Sequence, residues 1–266
     1  MPELLKVLIL AAVQGCAEFL PISSSGHLAI LSAFMDVKCD VLTLTIVLHA
    51  GTLLAILIYY FNFLKNIFRN RDKRLIFLII ISTIPTAIIG FSLRAFGIDT
   101  ILFNNLLFPG IGLILTGIII LNGLTGAKGN STQVADMTIK NALTIGLAQG
   151  FAIFPGISRS GTTISVAIKL GIKSEDAATF SFMLAIPVIA GASILEIAAG
   201  LSHNSSQFNL DALAHLALGF MVSAVVGYFS LKLLISTLKK DKLKGYAYYC
   251  MTMGVFVISW VLYKQF

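Results

Sequence analysis

Residues 14–26 read QGCAEFLPISSSG, and residues 149–161 read QGFAIFPGISRSG. Aligned without a gap, the two stretches are identical at eight of thirteen positions. Shared apolar residues are expected in any hydrophobic chain, but matched Gln, Ser and Gly pairs are not. We infer that the chain contains an internal repeat with an offset of 135 residues, in which the two stretches are equivalent.

The composition around the repeat excludes a soluble or a disordered protein. Hydrophobic residues make up 57% of the 266 positions and charged residues 12%, against about 25% charged in an ordinary soluble protein. A soluble fold of this size cannot bury so much apolar surface, and a disordered chain is far more polar. The net charge of +7 does not indicate nucleic acid binding, because the charges flank long apolar runs, as they do beside membrane spans.

The apolar segments form two matching sets of five, which predicts an all-α polytopic membrane protein. The first two segments of each set are shorter than the roughly 20 residues of a span, and a Pro-, Gly- and Ser-rich stretch separates them. They predict re-entrant helical hairpins over about 4–35 and 139–171, and the other segments predict three spans in each half. The first repeat then covers 1–125 and the second 139–266, in a single membrane domain. In chain order the segments are 4–20, 27–35, 41–63, 75–93, 101–122, 139–154, 162–171, 177–201, 212–237 and 246–263.

The basic residues predict the orientation of the spans. Two loops are rich in Lys and Arg, and the positive-inside rule places both on the cytoplasmic side. Alternation of three spans per half then puts the first hairpin on the outer side and the second on the inner side. Because three is odd, the two halves have opposite orientations, so the repeat is predicted to be inverted. The basic residues assigned to the inside are Lys65, Arg69, Arg71, Lys73, Arg74, Lys128, Lys140, Lys169, Lys173, Lys239, Lys240, Lys242 and Lys244.

Both hairpins contain polar side chains that hydrocarbon does not tolerate without partners. Glu18 lies in the first hairpin and Arg159 in the middle of the second. Ionisable groups at this depth cost several kcal/mol unless they are paired or hydrated, so each is a candidate functional residue. We expect the hairpin tips to meet near the midplane, where an acid, a base, hydroxyls and a guanidinium would share one cavity.

The spacing within the hairpins predicts their local structure. Gln14 and Glu18 are four residues apart and share a helix face, and Pro21 ends that helix at about the preceding residue. Ser158 is a suitable N-cap for a helix that begins near Arg159. We expect hydroxyls, the guanidinium and free N–H groups of this helix to suit a phosphate or diphosphate. The N–H groups are those of Ser160, Gly161 and Thr162.

Structural roles compete with functional ones at several positions. The hydroxyls at 23–25 and 162–163 could serve in helix capping or close helix packing alone. Glu18 and Arg159 could form a purely structural buried ion pair. His49 is predicted to pack between helices.

Residues 18–27, EFLPISSSGH, and residues 155–163, PGISRSGTT, resemble the two signature motifs of bacterial undecaprenyl-diphosphate phosphatase, the bacitracin-resistance membrane phosphatase family. The first motif extends upstream through a Glu/Gln-x-x-x-Glu element, here Gln14 and Glu18. Further similarity at 49–55 and 84–87 extends the resemblance over nearly the whole chain. It implies a hydrolase that removes the terminal phosphate of undecaprenyl diphosphate. The product, undecaprenyl phosphate, is the carrier lipid for peptidoglycan and other cell-wall polymers, and this recycling confers bacitracin resistance.

The resemblance further implies a multi-pass protein of the bacterial plasma (inner) membrane, with a site open to the outer, periplasmic face. It implies a divalent cation, Mg²⁺ or Ca²⁺, as cofactor, for which Gln14 and Glu18 are the candidate contacts. Whether Gln14 makes a hydrogen bond or a metal contact stays open. The residues that match the motifs are, as candidate catalytic groups, Glu18, Ser24, His27 and Arg159, and, as candidate phosphate-binding groups, Ser158, Arg159, Ser160, Gly161, Thr162 and Thr163.

The sequence allows two candidate nucleophiles and two candidate functions. Ser24, activated by Glu18 or His27, could attack phosphorus, or His27 could attack it directly. As an alternative function, an inverted repeat with broken helices also suits a flippase or transporter of a polyprenyl phosphate lipid, which needs anion capture but no nucleophile. The expected partners are a polyprenyl diphosphate lipid and membrane lipids, with no nucleic acid, and a homodimer is left open.

Overall fold

The structure is a computed structural model that describes residues 1–35, 41–103, 105–125, 131–201, 210–239 and 242–265. Regular secondary structure in these residues is helical, as the composition predicts. Five helices are long and apolar enough to cross a membrane, and a bent pair would make a sixth. The chain is therefore an all-α multi-pass membrane protein. The helices are α1 (Glu3–Phe19), α2 (Ser24–Met35), α3 (Val41–Tyr59), α4 (Phe61–Asn70), α5 (Lys73–Ala95), α6 (Ile98–Phe103), α7 (Leu107–Leu124), α8 (Ile139–Phe151), α9 (Arg159–Lys169), α10 (Ser174–Leu201), α11 (Leu210–Lys239) and α12 (Lys244–Gln265).

The segment predicted as one span at 41–63 is a bent pair of helices. The chain turns by 67° between α3 and α4. Because α4 carries Lys65 and Arg69 among its apolar residues, it suits the membrane surface better than the hydrocarbon. The segment predicted at 101–122 also begins later, as α7, since the side chain of Asn105 accepts the Leu107 N–H at 2.9 Å and so starts the helix there.

The second helix of each predicted hairpin is too short to cross a membrane. α2 has 12 residues and α9 has 11. At 1.5 Å per residue these helices are about 18 and 17 Å long, against a hydrocarbon core of about 30 Å. Both hairpins can therefore reach about halfway through the membrane, as the interrupted segments predict.

The first helix of each hairpin packs in parallel on a long helix of the other half. On α1, a Cβ at Gly15 would lie 2.8 Å from the Ser223 carbonyl oxygen of α11, and Cys16 contacts Ser230 further along. On α5, the hydroxyl of Ser82 donates to Ala142 of α8 at 2.8 Å, and Thr86 donates to Gly146 of α8 at 3.1 Å. α1 of the first half thus packs on α11 of the second, and α8 of the second half packs on α5 of the first, so the two pairings are equivalent in the repeat.

Three segments lie together at one end of the molecule, namely the start of α5, the start of α10 and the connection before α8. Arg74 donates to the carbonyl oxygens of Ala135 and Met137, and Asp176 accepts the Val134 N–H at 3.3 Å. Lys128 and Lys240, which the sequence assigns to the cytoplasmic side, are not among the residues that the structure describes. The inverted orientation of the two halves stays our prediction.

Glycines allow α7 to touch the tip of the second hairpin. A Cβ at Gly112 would lie 2.2 Å from the Pro155 carbonyl oxygen, and a Cβ at Gly156 would lie 2.1 Å from that of Pro109. Gly156 also has a φ of +85°, which a residue with a side chain rarely adopts. The backbone of α7 is therefore the support on which this tip rests.

We expect Gly156→Ala to lower the thermal unfolding midpoint in detergent more than Gly171→Ala does. Both glycines have left-handed φ values, +85° and +89°, so both substitutions incur a backbone strain of about 1–2 kcal/mol. A Cβ at Gly171 meets nothing within 4 Å, whereas overpacking at Gly156 adds about 1–3 kcal/mol. Equal shifts for the two variants would show that the close contact with α7 is absent.

Candidate active site

The first hairpin turns sharply after α1. The helix ends at Phe19, and Leu20 is extended directly before Pro21, whose ring cannot continue a helix. The helix end predicted from Pro21 is confirmed. Ser23 then has a φ of 70°, in the left-handed region that residues with side chains rarely occupy, and α2 begins at Ser24.

Hydrogen bonds from within the hairpin hold Ser23 in this conformation, which costs about 1–2 kcal/mol. Its hydroxyl oxygen accepts the Gly26 N–H at 3.2 Å. Its carbonyl oxygen accepts the backbone N–H of His27 at 3.3 Å and lies 2.8 Å from the ring atom Nδ1 of the same residue. The direction in which the chain enters Ser24 is thereby fixed.

Glu18 lies where the two hairpins meet, and its side chain is 7% exposed. Its Oε1 accepts from Nη2 of Arg159 at 2.6 Å. Its Oε2 accepts the Ser24 hydroxyl at 2.8 Å and Nε2 of Gln14 at 3.1 Å. A carboxylate is stable in such surroundings only when it is paired and hydrogen-bonded, and here it has a charged partner and two neutral donors.

Thr116 of α7 holds the tip of the second hairpin. Its hydroxyl donates to the Gly156 carbonyl oxygen at 3.0 Å and accepts the Ser158 N–H at 2.9 Å. The two tips also touch directly, since the Gly156 N–H lies 3.4 Å from the hydroxyl oxygen of Ser25. Arg159 therefore projects from a tip that is anchored on both sides.

Ser158 caps α9 as predicted, and this corrects the expectation of three free N–H groups. Its hydroxyl oxygen accepts the Gly161 N–H at 3.1 Å, and its carbonyl oxygen accepts the Thr162 N–H at 2.9 Å. Both groups are used because an N-cap residue satisfies the first turn of its own helix. Of the three predicted N–H groups, that of Ser160 is the one that Ser158 does not accept, so it can bind an anion.

The hydroxyls of α9 differ in what they can offer to a ligand. Thr163 is already engaged, since its hydroxyl lies 2.6 Å from that of Ser181 and 2.9 Å from the Arg159 carbonyl oxygen. The hydroxyl of Ser160 lies 3.4 Å from the Leu20 carbonyl oxygen. The hydroxyl oxygen of Thr162 is buried without a hydrogen-bond partner among the described residues.

His27 is buried, and both of its ring nitrogens have partners. Nδ1 lies 2.8 Å from the Ser23 carbonyl oxygen, and Nε2 lies 2.7 Å from the hydroxyl oxygen of Tyr249 on α12. Ser24, one turn earlier, points to Glu18 instead. The expected grouping of Glu18, Ser24 and His27 in one hairpin is present, but the imidazole does not contact the serine hydroxyl.

Several residues at the site were not singled out from the sequence. His49, which we predicted to pack between helices, places Nε2 at 3.7 Å from Oε2 of Glu18. The sequence feature that points to His49 as a site residue is an ionisable side chain within an apolar segment. Thr116 and Ser181 gave no comparable signal, because uncharged polar residues in spans are common and their role depends on tertiary contacts. Tyr249 belongs to a Tyr-rich stretch, 246–249, for which the sequence predicts interfacial anchoring.

Gln14 and Glu18 are the oxygen donors that could contact a cation. Oε1 of Gln14 is buried and has no hydrogen-bond partner among the described residues. No cluster of three or more His, Cys, Asp or Glu side chains with metal-binding geometry occurs in the part of the chain that is described.

The arrangement provides the parts needed for phosphoryl transfer. Ser24 is partly exposed and donates to a buried carboxylate. Arg159, the Ser160 N–H and the Thr162 hydroxyl lie on the first turn of α9, where the helix dipole favours an anion. A partly exposed hydroxyl, a buried carboxylate and the first turn of α9 thus lie close to each other at the meeting point of the hairpins.

Comparisons with known proteins identify the family of the chain. The family model of the bacitracin resistance protein BacA matches residues 7–256. Proteins named undecaprenyl-diphosphatase are 39% identical in Methanosphaera stadtmanae (97% of this chain and 98% of the relative), 38% identical in Halothermothrix orenii (96% and 97%) and 41% identical in Rhodopirellula baltica (97% and 98%). The chain therefore belongs to the bacitracin resistance protein BacA family.

Proposed function

We propose that this protein hydrolyses undecaprenyl diphosphate to undecaprenyl phosphate and inorganic phosphate. The observation that carries the proposal is the arrangement at Glu18, which binds Ser24 through one carboxylate oxygen and Arg159 through the other. The name of the relatives, undecaprenyl-diphosphatase, supports the same substrate. A flippase needs no hydroxyl held on a buried carboxylate, so this contact favours the hydrolase over the transporter.

In the first step, Ser24 attacks the terminal phosphorus. Glu18 accepts the hydroxyl proton, a bond forms between the serine oxygen and phosphorus, and the bond from phosphorus to the bridging oxygen breaks. Undecaprenyl phosphate leaves with that electron pair. Arg159 and the Ser160 N–H neutralise the charge that the transition state spreads over the phosphoryl oxygens.

In the second step, water attacks the phosphoserine. Glu18 first gives the proton taken from Ser24 to the departing phosphate oxygen, and its carboxylate is then placed to accept a proton from the attacking water and to return it to the serine oxygen. The serine oxygen leaves with the electron pair of the broken bond and recovers a proton. Inorganic phosphate is released, and the contact between Ser24 and Glu18 is restored.

The contacts of His27 favour Ser24 over His27 as the nucleophile. An attacking imidazole needs a nitrogen lone pair that faces phosphorus, whereas both nitrogens of His27 are held, by Ser23 and by Tyr249. The hydroxyl of Ser24 is held by a group that can take its proton. We therefore assign attack to Ser24 and proton transfer to Glu18.

The cation belongs to the same proposal. Gln14 and Glu18 would hold Mg²⁺ or Ca²⁺ together with oxygens of the diphosphate, and the ion would supply positive charge at the phosphoryl oxygens. The unpartnered Oε1 of Gln14 is the feature of the site that fits this role. A Gln in place of a Glu contributes an oxygen without a charge, so binding of the ion would depend on the substrate.

We place the protein in the bacterial inner membrane, with the site open to the periplasmic face. The support is the positive-inside rule, which puts the Arg74 end of the molecule in the cytoplasm. The first hairpin then enters from the periplasmic side. Hydrolysis there would return the carrier lipid to peptidoglycan synthesis, and the description of the family associates it with bacitracin resistance.

We expect Ser24→Ala to reduce phosphate release from undecaprenyl diphosphate by about 10³-fold or more, as loss of a nucleophile does. Glu18→Gln keeps the shape but removes the base, and we expect a loss of about 10²–10⁴-fold. The measurement is inorganic phosphate release by purified protein in detergent. Ser32→Ala is the matched control, because this serine lies on the same helix, about 12 Å beyond Ser24. Phosphate release by Ser24→Ala at the rate of the control would contradict the assignment, and absence of release by the folded wild type would contradict the hydrolase.

We expect Gln14→Glu to lower the Mg²⁺ concentration that gives half-maximal activity, because a second carboxylate binds a hard cation more strongly than an amide does. Gln14→Ala should raise that concentration. The measurement is a Mg²⁺ titration of phosphate release after chelation. If Gln14 served Glu18 by hydrogen bonding alone, both variants would show the cation dependence of the wild type.

A further inference from the structure

Tyr249 contacts the active site from α12 and has no part in the phosphoryl transfer proposed above. Its hydroxyl oxygen lies 2.7 Å from Nε2 of His27, 222 positions away in sequence. The two rings are nearly parallel, with an angle of 8° between their planes and 5.7 Å between their centres. A hydrogen bond and a stacked contact together hold the imidazole from a helix that belongs to neither hairpin.

The neighbours of His27 determine which of its nitrogens carries the proton. The carbonyl oxygen of Ser23 can only accept, so the proton at Nδ1 points to it. A neutral imidazole then has its lone pair at Nε2, and the Tyr249 hydroxyl donates to that lone pair. Loss of the hydroxyl would leave a buried acceptor without its donor and would release the ring from α12.

We propose that Tyr249 is a positioning residue that acts on the nucleophile through His27. By holding the imidazole, Tyr249 keeps the hydrogen bond between Nδ1 of His27 and the carbonyl oxygen of Ser23 in place. This bond supports the left-handed conformation of Ser23, whose φ is 70°. Ser24 follows directly, and the direction of its hydroxyl toward Glu18 depends on that backbone conformation. The inference rests on the proposed function, in which Ser24 is the nucleophile.

Tyr249 also lines a cavity of about 440 Å³, together with Ile22, Lys242 and Tyr246. A residue that binds the substrate through this cavity and a residue that positions the nucleophile differ in their kinetic effects. Loss of substrate binding raises KM, whereas loss of positioning lowers kcat at constant KM. Because the Tyr249 hydroxyl is directed at His27, we assign the second effect to it.

We expect Tyr249→Phe to lower kcat for phosphate release by about 3- to 10-fold, which corresponds to the loss of one hydrogen bond. KM for undecaprenyl diphosphate should stay within about twofold, since no substrate contact is lost. In a His27→Gln background, Tyr249→Phe should cause no further loss, because the two residues act in series. Tyr246→Phe is the matched control, since it removes a hydroxyl from the same cavity without touching His27.

Four outcomes would overturn the inference. They are a wild-type kcat for Tyr249→Phe, a raised KM at unchanged kcat, an equal loss for Tyr246→Phe, and a further loss in the His27→Gln background. Monodisperse elution and the thermal unfolding midpoint check that each variant is folded. If His27→Gln does not fold, ¹⁵N NMR of histidine-labelled protein replaces the double variant, and an unchanged His27 signal in Tyr249→Phe would overturn the inference. A wild type without phosphate release would contradict the proposed function instead.

Discussion

The ion pair between Glu18 and Arg159 is the interaction on which the site depends, because it joins two hairpins that come from the two halves of the chain. The two groups lie 2.6 Å apart and are largely buried. A buried pair adds little net stability, but removal of one partner costs about 3–5 kcal/mol, since it leaves an uncompensated charge. Each hairpin therefore restrains the other, and the same contact sets the distance between Glu18, which we propose as the base, and the first turn of α9. A phosphate that enters the site competes with Glu18 for Arg159, which would free the carboxylate to accept the proton of Ser24.

The surrounding fold supplies the stiffness that this pair requires. Small residues let backbones approach closely, as at Gly112 of α7 beside the tip of the second hairpin. Thr116 adds two hydrogen bonds to that tip. On the other side, α12 reaches the first hairpin through Tyr249. Residues of both tips, among them Ser23 and Gly156, are buried, where unpaired backbone groups are costly.

Sequence reasoning found most of the fold and the charged centre of the site, and it failed where tertiary contacts decide. Glu18 and Arg159 stand out because hydrocarbon makes a charge expensive, and Pro21 marks a helix end by its covalent geometry. The bend after Tyr59 was missed, because apolar residues continue past it and hide the charged face of α4. His49 was assigned to packing, because its distance from Glu18 depends on how α3 lies against α1, which no local pattern reveals. The support that Tyr249 gives to His27 is equally invisible in the sequence, since the two residues are 222 positions apart.

The measurement that tests this account most directly is the identification of the phosphorylated residue during turnover. Undecaprenyl diphosphate labelled in its terminal phosphate would be mixed with the purified protein and quenched within milliseconds to seconds. Denaturation at neutral pH preserves both phosphoserine and phosphohistidine for peptide mapping. We expect the label on Ser24, in an amount that rises before free phosphate appears. Label on His27, or phosphate release without any labelled peptide, would contradict the mechanism that the contacts of Glu18 support.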